Sequence, residues 1–140
     1  MTNPFAAPRR IRRIAARRIY LTPSRKKVIL TLGVPQPVPG SDWGCAVQIT
    51  GLATRYRRPQ YVFGIDALQA LHLAMQDAGR MLESSRVRLS FLGQSDDLML
   101  PRCLPDVLPK RERDRIDAFV ERELERYVTA AERRNRRRRG

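Results

Sequence analysis

The stretch GIDALQALHLAMQDAGRMLESS, residues 64–85, predicts one amphipathic helix with a defined start. Asp66 is a favourable N-cap residue, and Gln69 three positions later completes a capping box, which gives partners to two otherwise unpaired N–H groups. At 100° per residue the apolar side chains fall on one arc: Ala67, Leu68, Ala70, Leu71, Ala74, Met75, Ala78, Met81 and Leu82. This arc must pack against a sheet or against other helices.

The segments before this helix alternate apolar and polar residues, as half-buried β-strands do. A first strand is expected at residues 14–22, closed by a turn at residues 23–26. A second, at residues 27–34, brings four apolar side chains to one face: Val28, Leu30, Leu32 and Val34. The prolines at positions 35, 37 and 39 then end it, because proline cannot continue a hydrogen-bonded ladder.

Two further strands lead into the helix, and one is expected after it. The third strand has the clearest alternation and directs four side chains to the core: Trp43, Cys45, Val47 and Ile49. The fourth, at residues 60–65, is expected to direct Tyr61, Phe63 and Ile65 inward. The fifth, at residues 86–92, has three residues on its core face: Val87, Leu89 and Phe91.

The order of elements, β-β-β-β-α-β and then a final helix, predicts an α+β fold. Short connections join the first four strands, and these favour an antiparallel meander, since a parallel pair needs a crossover of about a dozen residues. The helix at residues 64–85 would cover one face of this sheet of about five strands.

The rest of the chain is predicted to lie outside an α+β domain of residues 14–93. Residues 1–13 form a basic flexible arm, and residues 94–109 form a proline-rich loop. An amphipathic helix is expected at residues 110–132, followed by an arginine-rich, solvated and frayed tail at residues 133–140.

Two motifs resemble those of a family of small bacterial domains of unknown function. They are DWGCAVQITG, residues 42–51, and GIDALQAL, residues 64–71. The family combines a D-W-x-C-x-V-x-I-x-G strand with a G-x-D-[SA]-x-Q-A-L helix start. The resemblance covers about residues 14–92, and it implies a bacterial cytoplasmic protein of unassigned role, with no catalytic residue to carry over.

Charge is segregated along the chain, whose formal net charge is +14. Residues 1–27 contain nine basic residues and no acidic residue. Residues 28–110 are nearly balanced, with eight basic and seven acidic residues, whereas residues 111–140 contain eleven basic and seven acidic residues. The excess positive charge therefore belongs to the two ends.

Such ends are typical of a polyanion-binding protein. The candidate nucleic-acid-binding residues are Arg9, Arg10, Arg12, Arg13, Arg17, Arg18, Arg55, Arg57, Arg58, Arg133, Arg134, Arg136, Arg137, Arg138 and Arg139. Because no helix-turn-helix, zinc-finger or RNA-recognition pattern appears, the contact is expected to follow phosphate charge with little sequence preference. The alternative is that the basic ends serve solubility.

A second class of function is a protein-binding module, such as a toxin-neutralising immunity protein or an inhibitor. The C-terminal helix offers an apolar stripe for a partner or for self-association, formed by Ile116, Phe119, Val120, Leu124 and Tyr127. An acidic partner would suit the charge of this chain. The sequence leaves the oligomeric state open.

The sequence shows no constellation typical of an enzyme. His72 is the only histidine, and Cys45, its one candidate partner in a nucleophilic pair, is expected to face the core. Cys45 and Cys103 are too few and too far apart for a disulfide scaffold or a zinc site, and no glycine-rich phosphate loop appears. We therefore expect neither catalysis, nor a metal, nor a cofactor.

The sequence also predicts a cytoplasmic protein without a membrane partner. No apolar run approaches the roughly 20 residues that span a bilayer, and the N-terminus has no uninterrupted apolar stretch of the kind found in signal peptides. The arginine-rich start resembles a mitochondrial presequence in composition, but the strand predicted from residue 14 favours a basic arm.

Overall fold

The computed structural model describes residues 7–40, 42–95, 97–101 and 108–139, with Arg139 as backbone only. The chain forms two compact units, Met1–Arg102 and Cys103–Gly140. The first is an α+β domain built on an antiparallel sheet, as the sequence predicts. Within the second, the described residues form mainly one helix.

Five strands make the sheet. Their bounds are Ile14–Leu21 (β1), Lys27–Gly33 (β2), Gln36–Pro37 (β3), Trp43–Thr50 (β4) and Gln60–Gly64 (β5). Every pairing is antiparallel: β1 with β2, and β2, β3 and β5 with β4. Because β3 and β5 both pair with the start of β4, they lie on its opposite edges, and β3 continues the line of β2. The proline-rich segment thus interrupts the second strand without ending its pairing to β4.

The pairing register gives the sheet two distinct faces. One face carries the core, to which β2 and β4 contribute residues that the alternation predicts: Val28, Leu30, Leu32, Cys45, Val47 and Ile49. Val34, which the alternation also directs to the core, lies beyond the end of β2 and is only partly buried. The prediction of which β5 side chains face the core is wrong, because the alternation is shifted by one residue. Val62 pairs with Cys45 and packs on the core, whereas Tyr61 and Phe63 lie on the opposite face and Ile65 is 72% exposed.

The helix after β5 is α1, Ala67–Ser84, and it begins at the predicted N-cap. Asp66 Oδ1 accepts a hydrogen bond from Gln69 N (2.7 Å), and Gln69 Oε1 accepts one from Ile65 N (2.8 Å). The returning bond therefore goes one residue before the cap. The buried line of α1 consists of Ala70, Ala74, Ala78 and Leu82.

The apolar arc of α1 is narrower than the sequence suggests. Leu68, which the periodicity places on this arc, is 76% exposed, while Leu71, Met75 and Met81 are partly buried at its margins. Alanine fills the centre of the arc because the helix approaches the sheet closely. A Cβ at Gly64 would lie 2.4 Å from the backbone nitrogen of Ala70, so only glycine fits at this contact.

The strand predicted at residues 86–92 is not formed. Only Ser90 pairs with β1, through two backbone hydrogen bonds to Leu21 (2.9 and 3.0 Å). The backbone turns away on both sides of this bridge, with φ of +57° at Arg86 and of +51° at Leu92. Of the predicted core residues, Leu89 is buried and Phe91 packs on the core, but Val87 is 37% exposed.

Residues 97–101 of the predicted proline-rich loop are fastened to the domain. The carbonyl oxygen of Leu98 accepts hydrogen bonds from Tyr20 Oη (2.9 Å) and Arg18 Nη1 (3.2 Å). The side chains of Leu98 and Leu100 pack against the core. The domain therefore extends beyond residue 93, while residues 96 and 102–107 of the predicted loop lie outside the described residues.

In the second unit, helix α2 runs from Lys110 to Arg139. It begins where the sequence predicts, but it continues through the arginine run that was expected to be a frayed tail. Arginine is a good helix former, so a run of arginines does not by itself end a helix. Ion pairs at helical spacing lie along it, between Lys110 and Asp114 and between Glu123 and Arg126 (2.8 Å).

The contact between Gly64 and the backbone of Ala70 generates a first prediction. We expect Gly64→Ala to destabilise the domain by about 3 kcal/mol, because the added methyl group must displace the helix from the sheet. The matched control is Gly79→Ala on α1, where the Cβ would meet only Leu100 Cδ1 at 3.6 Å. This control should gain about 0.5–1 kcal/mol from helix propensity. Urea denaturation measures both, and equal stability of the two variants would contradict the close contact.

Candidate nucleic-acid interface

The face of the sheet opposite α1, here called the outer face, is positively charged. The register places these strand residues on it: Arg17, Ile19, Lys27, Ile29, Thr31, Gly33, Gln36, Gly44, Ala46, Gln48, Thr50, Tyr61 and Phe63. None of them is acidic. Three of the described carboxylates of this unit, those of Asp66, Asp77 and Glu83, belong to α1 and its cap, on the other side of the sheet.

The arginine-rich arm lies against this outer face. The carbonyl oxygen of Arg13 accepts a hydrogen bond from Val34 N (2.9 Å), which fixes the end of the arm to the segment after β2. Ile11 lies over Gly33, where an added Cβ would be 3.3 Å from the Ile11 Cγ2. The described part of the arm is therefore docked on the sheet, rather than free as the sequence suggests.

The arm and the outer face enclose an open cleft of about 690 Å³. Its lining combines basic, small and aromatic residues: Pro8, Arg9, Arg10, Ile11, Arg12, Arg13, Gly33, Val34, Gln36, Ala46 and Tyr61. Within the described residues, no hydrogen bond or ion pair engages the side chains of Arg9, Arg10, Arg12 and Arg13. Guanidinium groups without internal partners are available to phosphate or carboxylate ligands.

The two predicted arginines of β1 have different surroundings. Arg17 lies on the outer face, where its Nε donates to Thr31 Oγ1 (3.4 Å). Arg18 lies on the core face and hydrogen-bonds the carbonyl oxygens of Leu98 and Met99, with its guanidinium 4.5 Å from the centre of the Phe91 ring. Arg18 therefore fastens the segment after α1, and these contacts engage the guanidinium that is predicted to bind phosphate.

The predicted patch at residues 55–58 divides in the same way. Arg55 forms an ion pair with Asp77 of α1 and lies 4.9 Å from the centre of the Tyr56 ring. Hydrogen bonding to Tyr56 and to Asp77 raises the pKa of Arg55. Arg57 and Arg58 are exposed. Two of the three arginines therefore remain accessible, while the third has partners within the fold.

The arginines predicted in the tail lie on α2. Arg133 and Arg137 extend a series in which pairs four residues apart recur every 11 residues: Arg111 and Arg115, Arg122 and Arg126, and Arg133 and Arg137. Eleven residues are close to three turns of helix, so the three pairs share one side of α2, about 16 Å apart along its axis. Arg134, Arg136, Arg138 and Arg139 complete the basic end, and the first three are exposed.

The predicted partner-binding stripe of α2 is largely open to solvent. Its exposed members include Phe119 (56%), Leu124 (57%) and Tyr127 (68%), together with Val120, whereas Ile116 is half-buried. Large apolar side chains with this exposure are candidates for a contact with another molecule.

The residues considered for catalysis do not form a visible site. Cys45 is completely buried in the core, its Sγ lies 3.3 Å from the carbonyl oxygen of Gly33, and burial raises its pKa to about 11. His72 is half-buried on α1. The described residues contain no group of three or more histidine, cysteine or acidic side chains that could hold a metal ion.

The sequence predicts that Tyr61 faces the core, whereas the structure places it on the outer face. The segment YVFGI is apolar at nearly every position, so alternation does not determine the orientation of this side chain. The pairing of Val62 with Cys45 determines it. Knowing that register would have placed Tyr61 beside Ala46 on the outer face. The 11-residue spacing of the α2 arginines is a signal present in the sequence itself.

Tyr56 generates a prediction for alkaline pH. It is buried, its hydroxyl donates to Asp77, and desolvation together with this bond raises its pKa to about 12. Because the folded pKa exceeds the unfolded value of about 10, the stabilisation by Tyr56 is complete below pH 10 and is lost as pH rises towards 12.

We therefore expect Tyr56→Phe to cost about 1 kcal/mol at pH 7, through loss of the hydrogen bond. The difference should shrink above pH 10, as measured by urea denaturation between pH 7 and 11. Tyr127→Phe removes an exposed tyrosine hydroxyl and is the control. A difference that stays constant with pH would contradict the role assigned to Tyr56.

The burial of Cys45 predicts an inert thiol. The test uses a Cys103→Ser protein at about pH 8, in which Cys45 is the remaining cysteine. We expect Cys45 of the folded protein to react with dithiobis(nitrobenzoate) at least about 100-fold more slowly than in the same protein unfolded in urea. The reason is that the folded thiol is inaccessible and is ionised only to a small extent at this pH. The rate at which the absorbance of released thionitrobenzoate increases at about 412 nm measures this reaction. Fast labelling of the folded protein would place Cys45 outside the core.

Among the described residues, no helix is both long enough and apolar enough to cross a membrane. No curated protein and no solved structure matches this chain. Residues 15–102 match a family described as a domain of unknown function, DUF6968, and this match spans β1 to β5, α1 and the segment that follows it. Since the match covers more than half of the chain, the protein belongs to the DUF6968 family.

Proposed function

We propose that this protein is a non-catalytic, cytoplasmic domain that binds nucleic acid with little sequence preference. The observation that carries the proposal is the cleft of the outer face. There, Arg9, Arg10, Arg12 and Arg13 have no partner among the described residues and surround a surface without carboxylates.

The distribution of charge supports phosphate as the ligand. Arginines with partners in the fold, such as Arg18 and Arg55, contribute to internal bonds. The arm arginines make no such bonds with described residues. A bound polyanion would neutralise their charges, and the counterions condensed on it would be released. The cleft presents no helix that could enter a DNA groove, so the expected contact is to the nucleic-acid backbone.

Helix α2 offers a second basic surface for the same class of ligand. Residues 126–139 contain seven basic residues and one acidic residue. Two arginines of the three pairs on one side of α2 form ion pairs within the helix, Arg115 with Glu112 (3.9 Å) and Arg126 with Glu123 (2.8 Å). The basic end, with Arg133 and Arg137, supplies most of the charge that this surface offers to phosphate.

The alternative function is binding of a protein partner through the apolar stripe of α2. The exposure of Phe119, Leu124 and Tyr127 favours it, because a soluble helix normally buries side chains of this size. An acidic partner, as for an immunity protein or inhibitor, would also use the flanking arginines. A pull-down from cell lysate with and without nuclease separates the two functions. Loss of partners with nuclease favours nucleic acid, and one stoichiometric protein that survives nuclease favours the alternative.

The nucleic-acid proposal predicts a salt-dependent affinity that depends on the arm. The probe is a fluorescein-labelled DNA duplex of about 20 base pairs, which carries more phosphates than the arm and α2 have basic residues. The logarithm of Kd for this duplex should rise linearly with the logarithm of the salt concentration. Changing the four arm arginines to glutamine should reduce the slope by up to about 3.6, since each phosphate contact contributes about 0.9. Fluorescence anisotropy between 50 and 300 mM salt (roughly the range in which the slope is resolved) measures it.

The matched control for each single arm variant, such as Arg12→Gln, is Arg80→Gln. Arg80 is exposed on α1, on the other side of the sheet, and its replacement removes the same charge. Removal of residues 133–140 tests the contribution of α2 separately. If the arm and α2 variants leave both affinity and slope unchanged, the proposed function is wrong.

A further inference from the structure

The cleft of the outer face contains an aromatic ring held in a fixed position. Tyr61 pairs with Ala46 across the β4–β5 ladder, and its ring lies over Gly44, where an added Cβ would be 2.9 Å from Tyr61 Cδ1. The hydroxyl of Tyr61 accepts a hydrogen bond from Gln36 Nε2 on β3. Backbone on one side and a hydrogen bond at the tip therefore fix the orientation of the ring before any ligand arrives.

The surroundings of this ring are small and basic. Gly33 and Ala46 form part of the floor, and the arm arginines form the opposite wall. Ile11 lies over Gly33, and the cleft that remains has a volume of about 690 Å³. This volume lies within the range of about 300–1,000 Å³ typical of small-molecule sites. A volume of this size is sufficient for one nucleotide unit of a strand.

We propose that the cleft binds single-stranded nucleic acid, with one base stacked on Tyr61 and the adjoining phosphates contacted by the arm arginines. This inference rests on the proposed function and names its substrate class. A single strand exposes the flat faces of its bases, and every base can stack on an aromatic ring irrespective of sequence. In a duplex those faces are covered by neighbouring bases, so a duplex gains only the phosphate contacts.

Two contributions to the affinity for a single strand come from different residues of the cleft. Phosphate contacts give affinity that falls with salt, while stacking on an aromatic ring depends little on salt because it removes apolar surface from water. The arm arginines provide the first contribution and Tyr61 the second. Arg17, one row further along the outer face, extends the basic track beyond the ring.

The test compares two fluorescein-labelled single strands that differ only in their bases. One is an oligothymidylate of about 12 nucleotides, a length comparable to the site of a single-strand-binding fold. The other is an abasic phosphodiester chain of the same length and charge. The full chain should bind the oligothymidylate at least about fivefold more tightly than the abasic chain, as expected for one stacked base. Fluorescence anisotropy at constant salt measures both affinities.

The variants then locate the difference. Tyr61→Leu should reduce the affinity for the oligothymidylate to that of the abasic chain, while Tyr61→Phe keeps the ring and should retain most of the preference. Leu68→Ala, which removes an exposed apolar side chain of α1 on the other side of the sheet, is the control. Circular dichroism checks that Tyr61→Leu is folded. If it is not, the comparison of the two probes on the unaltered chain still decides.

The outcomes separate this inference from the proposed function. Equal affinity for the two probes, with binding that still depends on the arm arginines, overturns the stacked single strand and leaves phosphate binding in place. A preference for bases that survives in a folded Tyr61→Leu protein also overturns it, because the ring would then be irrelevant. No salt-sensitive binding to either probe overturns the proposed function itself.

Discussion

The contact between α1 and the end of β5 is the constraint on which the domain depends. At Gly64 the sheet and the helix meet backbone to backbone, because an added Cβ would lie 2.4 Å from Ala70 N. The buried line Ala70, Ala74 and Ala78 maintains this short separation along the helix. Small side chains allow the helix and the sheet to approach closely, and the resulting dense packing stabilises the core. The helix thereby covers the core face of the sheet.

Covering one face determines what the other face can do. The acidic residues Asp66 and Asp77 and the exposed Arg80 belong to α1, and Arg55 pairs with Asp77 at the edge of the helix. The outer face receives none of these carboxylates. An arm rich in arginine can lie there without forming internal ion pairs, so its charge stays available. Folding therefore divides the arginines of the domain into a set with internal partners and a set facing solvent.

Partnered arginines also explain how the segment after α1 stays in place without a fifth long strand. One bridge at Ser90 gives two backbone bonds, and Arg18 adds hydrogen bonds to the carbonyl oxygens of Leu98 and Met99. Tyr20, which is completely buried, donates a further bond to Leu98. Hydrogen bonds to charged donors contribute about 1.5–3 kcal/mol when protected, so these few contacts replace part of a ladder.

The sequence predicts the elements whose pattern has a single interpretation. Strict alternation fixes the buried faces of β2 and β4, and the pair Asp66 and Gln69 fixes the start of α1. It does not predict the orientation of β5, where apolar residues occur on both faces and only the register with β4 decides. The turns at Arg86 and Leu92 were also not predictable, because neither residue type favours a positive φ.

For the candidate site, the sequence predicts the charge but not the geometry. The sequence shows that residues 9–13 are basic, but their docking on the sheet depends on Ile11 fitting over Gly33, a tertiary contact without a local signal. The same limitation hid Tyr61. Local sequence cannot show which arginines find internal partners either, since Arg17 and Arg18 are adjacent in the chain and lie on opposite faces of β1.

On the proposed function, the two basic regions would gain from belonging to one chain. A nucleic acid bound by one region would be tethered to the chain that carries the other, which would raise its local concentration there. Each region would then need only modest intrinsic affinity, because the second contact would form without the cost of a new encounter. Such binding requires no fixed arrangement of the two units, only that one strand can reach both. A long, flexible single strand meets this requirement more readily than a short, stiff duplex, since its backbone bends at little energetic cost.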